Sequence, residues 1–323
     1  MNGARLDVVV VSWNTMGALG DCLSSLEDAA GAGAISVTVV DNGSSDGSTR
    51  MVAREHPWAT LAQAGANLGF GGAVNLGAER GGAPWIAAAN ADVVVPLAAI
   101  DALLDLTAAA AADVGAIAPR LAHPSGAVQP SVFSFPRVSD TALAALGVHR
   151  VSAAARRRLR IGPSAAPPAP CDVEYAMGAF LVLRRSAFEA IGGFDDGQWL
   201  YAEDLDLCWR LRRAGWRTRY EPGATVVHIG GAATSVAFAP AELRARTLAA
   251  SYSWVERRRG LAAAAAIHRV QLLGAILRVG AVRARRGLGR GGPAPTAAED
   301  WLPIVRRAWR LRGAQPDAAG SSP

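Results

Sequence analysis

Ile35-Ser36-Val37-Thr38-Val39-Val40-Asp41-Asn42-Gly43-Ser44-Ser45-Asp46-Gly47 is the stretch whose reading decides the fold. An apolar run of strand-forming residues ends in a turn-rich segment whose Asp and Ser side chains can cap a helix starting near Gly47. This is a strand-loop-helix unit with its polar residues at the carboxyl end of the strand. Upstream, Asp7–Trp13 contains four consecutive valines, Val8 to Val11, and reads as a strand buried on both faces, followed by a helix at about Gly17–Ala29. Downstream, the pattern predicts a helix near Phe70–Glu79 and a strand over Trp85–Ala89, closed by Asn90-Ala91-Asp92. Repeated βα units imply an α/β, mostly parallel sheet whose ligand site lies outside the carboxyl ends of its strands.

Further along, Leu97–Ala111 reads as helix and Val114–Ala118 as strand, after which residues 123–170 form an irregular excursion rich in Pro, Ser and Arg. Order returns at Val173, with a strand over Glu174–Arg184, a short helix over Ser186–Ile191, an amphipathic helix over Glu203–Ala214 and a strand end at Thr225–His228. From about Pro240 the pattern is helical. Residues 1–240 are thus read as a catalytic domain, 241–290 as a basic amphipathic helical region, and 291–323 as a tail partly disordered at its C-terminus.

The 323 residues, 51% hydrophobic, suffice for a core and exclude disorder throughout. All 33 basic residues are Arg, which removes chemistry that needs a lysine amine, including the P-loop ATPases. Cys22, Cys171 and Cys208 are widely spaced and odd in number, against a disulfide framework or thiolate zinc site and in keeping with a reducing compartment. The net charge of +6 divides unevenly: residues 1–240 carry 18 Arg against 22 acids, whereas residues 241–323 carry 15 Arg against 5. Such a tail suits anionic lipid headgroups or nucleic acid, or is a solvated helix face. It lacks an aromatic-basic recognition module, which argues against nucleic acid. Leu261–Val282 is interrupted by His268, Arg269, Gln271 and Arg278, favouring an interfacial helix over a spanning one. The short apolar run at the N-terminus follows Asp7 and does not read as a signal peptide.

Three features carry chemistry. Asp92, after a buried strand, can meet a divalent cation that neutralises a diphosphate, though a lone Asp there serves equally as a turn or cap residue. Asp41 and Asp46 share that ambiguity. In Trp199-Leu200-Tyr201-Ala202-Glu203-Asp204, two acids at a helix start follow an aromatic run able to stack on a sugar, so one acid is a candidate general base and both are candidate caps. His228, before the Gly-rich segment Ile229–Ser235, is a candidate ligand or a buried structural histidine. Gly287–Gly292 satisfies G-x-G-x-x-G but follows a basic helix and runs into Pro293, so it reads as a linker.

Taken in order, Val9–Asn14, Asp41–Ser48, Asn67–Asn75, Asn90-Ala91-Asp92, Gly178–Arg185, Gly192-Gly193-Phe194-Asp195, Glu203–Cys208 and His228 resemble the family 2 inverting glycosyltransferases over residues 6–235. Within that family they are similar to actinobacterial rhamnosyltransferases acting on polyprenyl-diphosphate-linked sugars. The resemblance implies a GT-A fold, a Rossmann-like mixed sheet flanked by helices with a C-terminal helical extension. It implies a nucleotide-sugar donor, dTDP-L-rhamnose, and a lipid-linked or cell-envelope glycan acceptor at the inner face of the plasma membrane. It assigns Asp204 as base with Glu203 beside it, and Asp92 and His228 as ligands of Mg²⁺ or Mn²⁺. Ser12, Asn14, Asp41, Asn67, Gly69, Asn75, Asn90 and Asp92 would lie on the donor side, Asp41 contacting the base. Gly178, Trp199 and Tyr201 would lie on the acceptor side. Ala91 and Asn90 depart from the Asn-Pro-Asp and Asp-x-Asp forms, so Asn90 is read as a weak ligand or as orienting ribose, and a catalytically silent sugar-nucleotide or lipid-binding protein stays open; within the family, galactofuranosyl, mannosyl or N-acetylglucosaminyl transfer from a UDP- or GDP-sugar is the alternative.

Overall fold

The computed structural model describes residues 3–145, 167–198, 201–230, 239–287 and 301–313. The valine run forms β1 (Leu6–Ser12), held in parallel register between β2 (Ile35–Asp41) and β4 (Trp85–Asn90). Ser12 pairs with Asp41, and Val11 with Asn90, so the polar ends of three strands finish at one sheet edge. Helix α1 (Met16–Gly31) returns the chain with Leu19, Cys22, Leu23, Leu26 and Ala29 buried, the spacing of one helical face. Helix α2 (Ser48–Glu55) starts where Asp46 accepts the Ser48 N–H at 3.0 Å. Helix α3 (Gly69–Ala78) lies so close to the sheet that a Cβ on Gly77 would sit 2.3 Å from a Val9 methyl. Only glycine permits that approach.

The sheet runs β3 (Thr60–Gln63), β2, β1, β4, β11 (Phe180–Arg184), β6 (Val114–Ala122), β12 (Arg217–His228) and β5 (Val93–Val94). Strands β1 to β4, β6 and β12 run the same way, while β11 is antiparallel to both of its neighbours. Helix α4 (Leu97–Ala109) joins β5 to β6. The short strands β7 (Val128–Gln129) and β9 (Cys171–Val173) pair with β6 and β12, and β8 (Val132–Phe133) pairs with β10 (Tyr175–Ala176) in a separate ribbon.

Two sequence readings change here. The single strand expected over Glu174–Arg184 is two, β10 and β11, belonging to different sheets. The break falls at Met177-Gly178-Ala179, whose backbone is drawn to Ser131, Asp204 and Asn90 rather than to one ladder. The excursion expected over 123–170 is ordered in its first part, through β7, β8 and helix α5 (Val138–Ala145). Residues 146–166, with the Arg156–Arg158 run, lie outside the described residues.

After α6 (Arg185–Ala190), α7 (Glu203–Arg213) and β12, the chain ends in α8 (Pro240–Arg259), α9 (Leu261–Gly287) and α10 (Trp301–Leu311). These pack on the body and on one another. Ala245, Ala249, Tyr252, Trp254 and Val255 of α8 are buried, and Ile304, Val305 and Ala308 of α10 likewise, so the segment expected as a tail contains a packed helix. The Gly287–Gly292 motif beyond Gly287 and the last ten residues lie outside the described residues.

Candidate active site

The carboxyl ends of β1, β2 and β4, the N-terminus of α7, the end of β12 and one face of α8 surround a cleft of about 700 Å³. On its N-terminal side, Asn42 donates to the Gly69 carbonyl at 3.1 Å and Asn67 accepts the Gly69 N–H at 3.0 Å, which seats the start of α3 against the loop after β2. Asn42, Asn67, Gly69, Asn90 and Asp92 all line the cleft.

At the sheet edge, Val93 pairs with His228, so Asp92 and His228 are brought together by strand register. His228 Nε2 lies 3.4 Å from Asp92 Oδ1, both side chains being buried. His228 Nδ1 is 3.0 Å from the Gln129 amide oxygen, which can only accept, so Nδ1 donates there and Nε2 is the nitrogen turned to Asp92. Nε2 has no hydrogen-bond partner among the described residues. An imidazole nitrogen and a carboxylate oxygen at this separation fit a shared divalent cation when the imidazole is neutral, with Gln129 orienting the ring from behind. Among the described residues no group of three or more His, Cys, Asp or Glu gathers as a metal site; Asp92 and His228 form a pair.

Glu203 and Asp204 open α7 after two successive non-glycine residues in the left-handed region, Tyr201 (φ 61°) and Ala202 (φ 64°). Such conformations cost about 1–3 kcal/mol each and persist where the surroundings impose them. The turn delivers both carboxyls to the cleft. Asp204 accepts the Gly178 N–H at 3.0 Å and the Leu205 N–H at 2.7 Å, which explains why β10 and β11 break apart at Gly178. Burial raises the pKa of Asp204 above the usual carboxylate range in spite of these bonds. Burial, with the Asp204 charge beside it, pushes Glu203 up to about 8, and its Oε2 has no hydrogen-bond partner among the described residues. The two carboxyls therefore titrate as a pair, and the backbone N–H groups of Gly178 and Leu205 favour the anion on Asp204 over that on Glu203.

Other expected donor-side residues sit behind the cleft wall. Ser12 bonds Thr15 at 3.1 Å, and Asn14 takes the Ser45 N–H at 2.8 Å. Asn75 is committed in both directions to the Phe194 backbone (2.8 and 3.0 Å), tying α3 to the Gly192–Asp195 turn. Asp41 holds the N–H groups of Gly43 and Ser44 through Oδ2, while its buried Oδ1 has no partner among the described residues. On the acceptor side Gly178 and Tyr201 line the cleft, and Trp199 lies outside the described residues. Sequence reasoning missed Gln129, the Phe133–Tyr175 stack (ring centroids 5.2 Å apart), and Leu243, Thr247 and Ser251 of α8, all lining the cleft. Only the last three carried a signal, their spacing of four residues.

A family model described as glycosyltransferase like family 2 matches residues 4–253. The chain belongs to that family. Its sheet and flanking helices are the GT-A arrangement, and a mannosyltransferase from Pyrobaculum calidifontis, solved with GDP-Man and Mn²⁺, shares the fold at 18% identity. The TM-score is 0.56, with 95% of this chain and 86% of that one covered. In sequence the chain is 38% identical over 214 residues to N-acetylglucosaminyl-diphospho-decaprenol L-rhamnosyltransferase of Mycobacterium tuberculosis, covering 60% of this chain and 66% of the relative, just under two thirds of its length. Rhamnosyltransferase WbbL of Escherichia coli is 43% identical over 56 residues, 17% of this family 2 chain and 21% of the relative.

Proposed function

We propose that this glycosyltransferase moves L-rhamnose from dTDP-L-rhamnose to a hydroxyl of a polyprenyl-diphosphate-linked sugar, with inversion, as a peripheral protein on the inner face of the plasma membrane. One observation carries the reading: a carboxylate held by the Gly178 N–H at a helix start opens into the same cleft as the Asp92–His228 pair. The choice of donor and acceptor rests on the mycobacterial relative named for that reaction.

Asp92 and His228 Nε2 would hold Mg²⁺ or Mn²⁺, whose charge stabilises a departing nucleoside diphosphate. Asp204, ionised, takes the proton of the acceptor hydroxyl as that oxygen attacks the anomeric carbon from the face opposite the leaving group. Gly178 and Leu205 fix the carboxylate in place for this. Glu203 stays protonated and adds no second negative charge beside the base. Asp41 would accept an N–H of the nucleotide base through Oδ1, which is buried behind the cleft wall until the donor enters, and Asn67, Gly69 and Asn90 border the remainder of the donor. A single base with no covalent nucleophile gives inversion.

The test is a donor panel of dTDP-rhamnose against UDP-, GDP- and other dTDP-sugars, with an N-acetylglucosaminyl diphosphate lipid as acceptor and nucleotide release as readout. The expected result is turnover with dTDP-rhamnose alone, abolished by chelation and restored by Mg²⁺ or Mn²⁺. Turnover with a UDP- or GDP-sugar would replace the donor. Full activity in chelator would remove Asp92 and His228 from the role given them.

A further inference from the structure

We infer that Arg244 and the outer face of α9 recognise the lipid-diphosphate part of the acceptor, Arg244 taking the phosphates and Leu273, Ile276 and Leu277 the apolar chain. This rests on the acceptor class proposed above and adds where that acceptor lies. Leu243, Thr247 and Ser251 are spaced by four residues, so one stripe of α8 forms a wall of the cleft. Arg244, next to Leu243 and three residues before Thr247, stands at the rim of that wall. It is exposed and makes no ion pair among the described residues. Glu242, two residues before it, is already shared by Arg246 (2.9 Å) and Arg307 (2.9 Å).

The apolar face lies at the same end. Helices α8 and α9 form a hairpin about Gly260, where the Tyr252 ring meets the His268 ring at 5.6 Å and its hydroxyl meets Gln271. At about 1.5 Å per residue, the eight residues from Tyr252 back to Arg244 cover roughly 12 Å. The same distance along α9 runs from His268 to Ile276. Leu273, Ile276 and Leu277 are 58%, 46% and 56% exposed and share one helical face. Leu261–Ala284 is long and apolar enough to cross a membrane by length and composition, and most of its apolar stretch is not buried. The cleft wall, Arg244 and the apolar face of α9 thus lie at one level of the hairpin, which suits a sugar, its diphosphate and its polyprenyl chain.

The experiment measures KM for three acceptors carrying the same sugar: a polyprenyl diphosphate in zwitterionic vesicles, a soluble two-isoprene diphosphate, and a phosphate-free alkyl glycoside. Arg244→Gln should raise KM about tenfold for both diphosphates, the worth of one charge-assisted contact. It should leave the alkyl glycoside and the donor KM unchanged. Changing Leu273, Ile276 and Leu277 to Ser should raise KM for the vesicle substrate alone. The inference is overturned if Arg244→Gln acts equally on the alkyl glycoside, shifts the donor KM, or weakens vesicle binding without touching the soluble diphosphate, which would mean a bulk headgroup contact. Failure of the underlying reading looks different: the unmodified enzyme would hydrolyse its donor yet glycosylate none of the three.

Discussion

Asp204 and Glu203 are adjacent in one helical turn, yet their surroundings differ in hydrogen bonding. Asp204 has two backbone N–H donors that favour its anion, whereas Glu203 has none from a neighbouring segment and faces the Asp204 charge. Asp204→Asn should therefore lower kcat by roughly 100- to 10,000-fold while donor affinity, read by calorimetry with metal present, stays within a few-fold. Near-normal turnover would remove it as the base. For Glu203 the sign follows from linkage. Its folded pKa of about 8 lies above its ordinary value of 4.5, so the stability it contributes is fully present below pH 4.5 and is lost as pH rises toward 8. Glu203→Gln should match the unmodified protein in melting temperature near pH 4.5, become increasingly the more stable up to about pH 8, and hold that margin above. A gap that narrows with pH would contradict a proton on Glu203. Its activity loss at neutral pH should be much smaller than that of Asp204→Asn.

Among the elements, α7 and α8 are joined through Asp206. It is fully buried on the side of α7 that meets α8, where Arg210 (2.6 Å), Arg258 (2.7 and 3.0 Å) and the Trp254 ring N–H (3.1 Å) surround its carboxylate. Although burial acts against the anion, Arg258 and Arg210 hold its pKa below the usual range. Arg258 also reaches Asp195 at 2.6 Å, extending the network to the turn that Asn75 supports. Asp206→Ala leaves two guanidinium groups without that partner and should cost about 3 kcal/mol, read from denaturant unfolding, while Asp206→Asn should cost less. A loss below about 1 kcal/mol for Asp206→Ala would mean that water replaces the contact. This network shows where sequence reading stops. The elements around β1, β2 and β4 were legible because a valine run and a polar loop are local patterns, and Asp92 and Asp204 were legible because each ends or begins an element. The split at Gly178 was not, since it answers to Asp204, distant in sequence. Gln129 lay in a stretch with no periodicity. The clamp of Asn75 on Phe194 spans 119 residues, so the sequence offered only the resemblance of Asn67–Asn75, which put Asn75 on the donor side.

At the scale of the whole molecule, charge and packing divide differently. Residues 241–323 carry all of the excess positive charge, yet Trp254 of α8 is buried against the body, Arg258 binds the buried Asp206, and the family match itself runs to residue 253. Removing everything after residue 240 would strip those contacts from α7, so truncation cannot isolate the role of the charge. Reversal on α9 can. Arg278, Arg283, Arg285 and Arg286 cluster toward the end of that helix, and Arg283 is exposed. Each basic residue close to an anionic bilayer is worth about 1 kcal/mol, and the benefit falls with salt because the field decays within a Debye length. Changing all four to Glu should weaken binding to anionic vesicles by about 100-fold or more and remove its salt dependence, with the melting temperature close to that of the unmodified protein. Transfer to a polyprenyl-linked acceptor in those vesicles should fall with binding, and transfer to a soluble short-chain acceptor should not. If the folded, reversed protein keeps both its vesicle affinity and its salt dependence, then α9 does not meet the bilayer through these arginines. Its exposed leucines and isoleucine would have to hold the protein there unaided, an attachment that strengthens rather than weakens as salt is added.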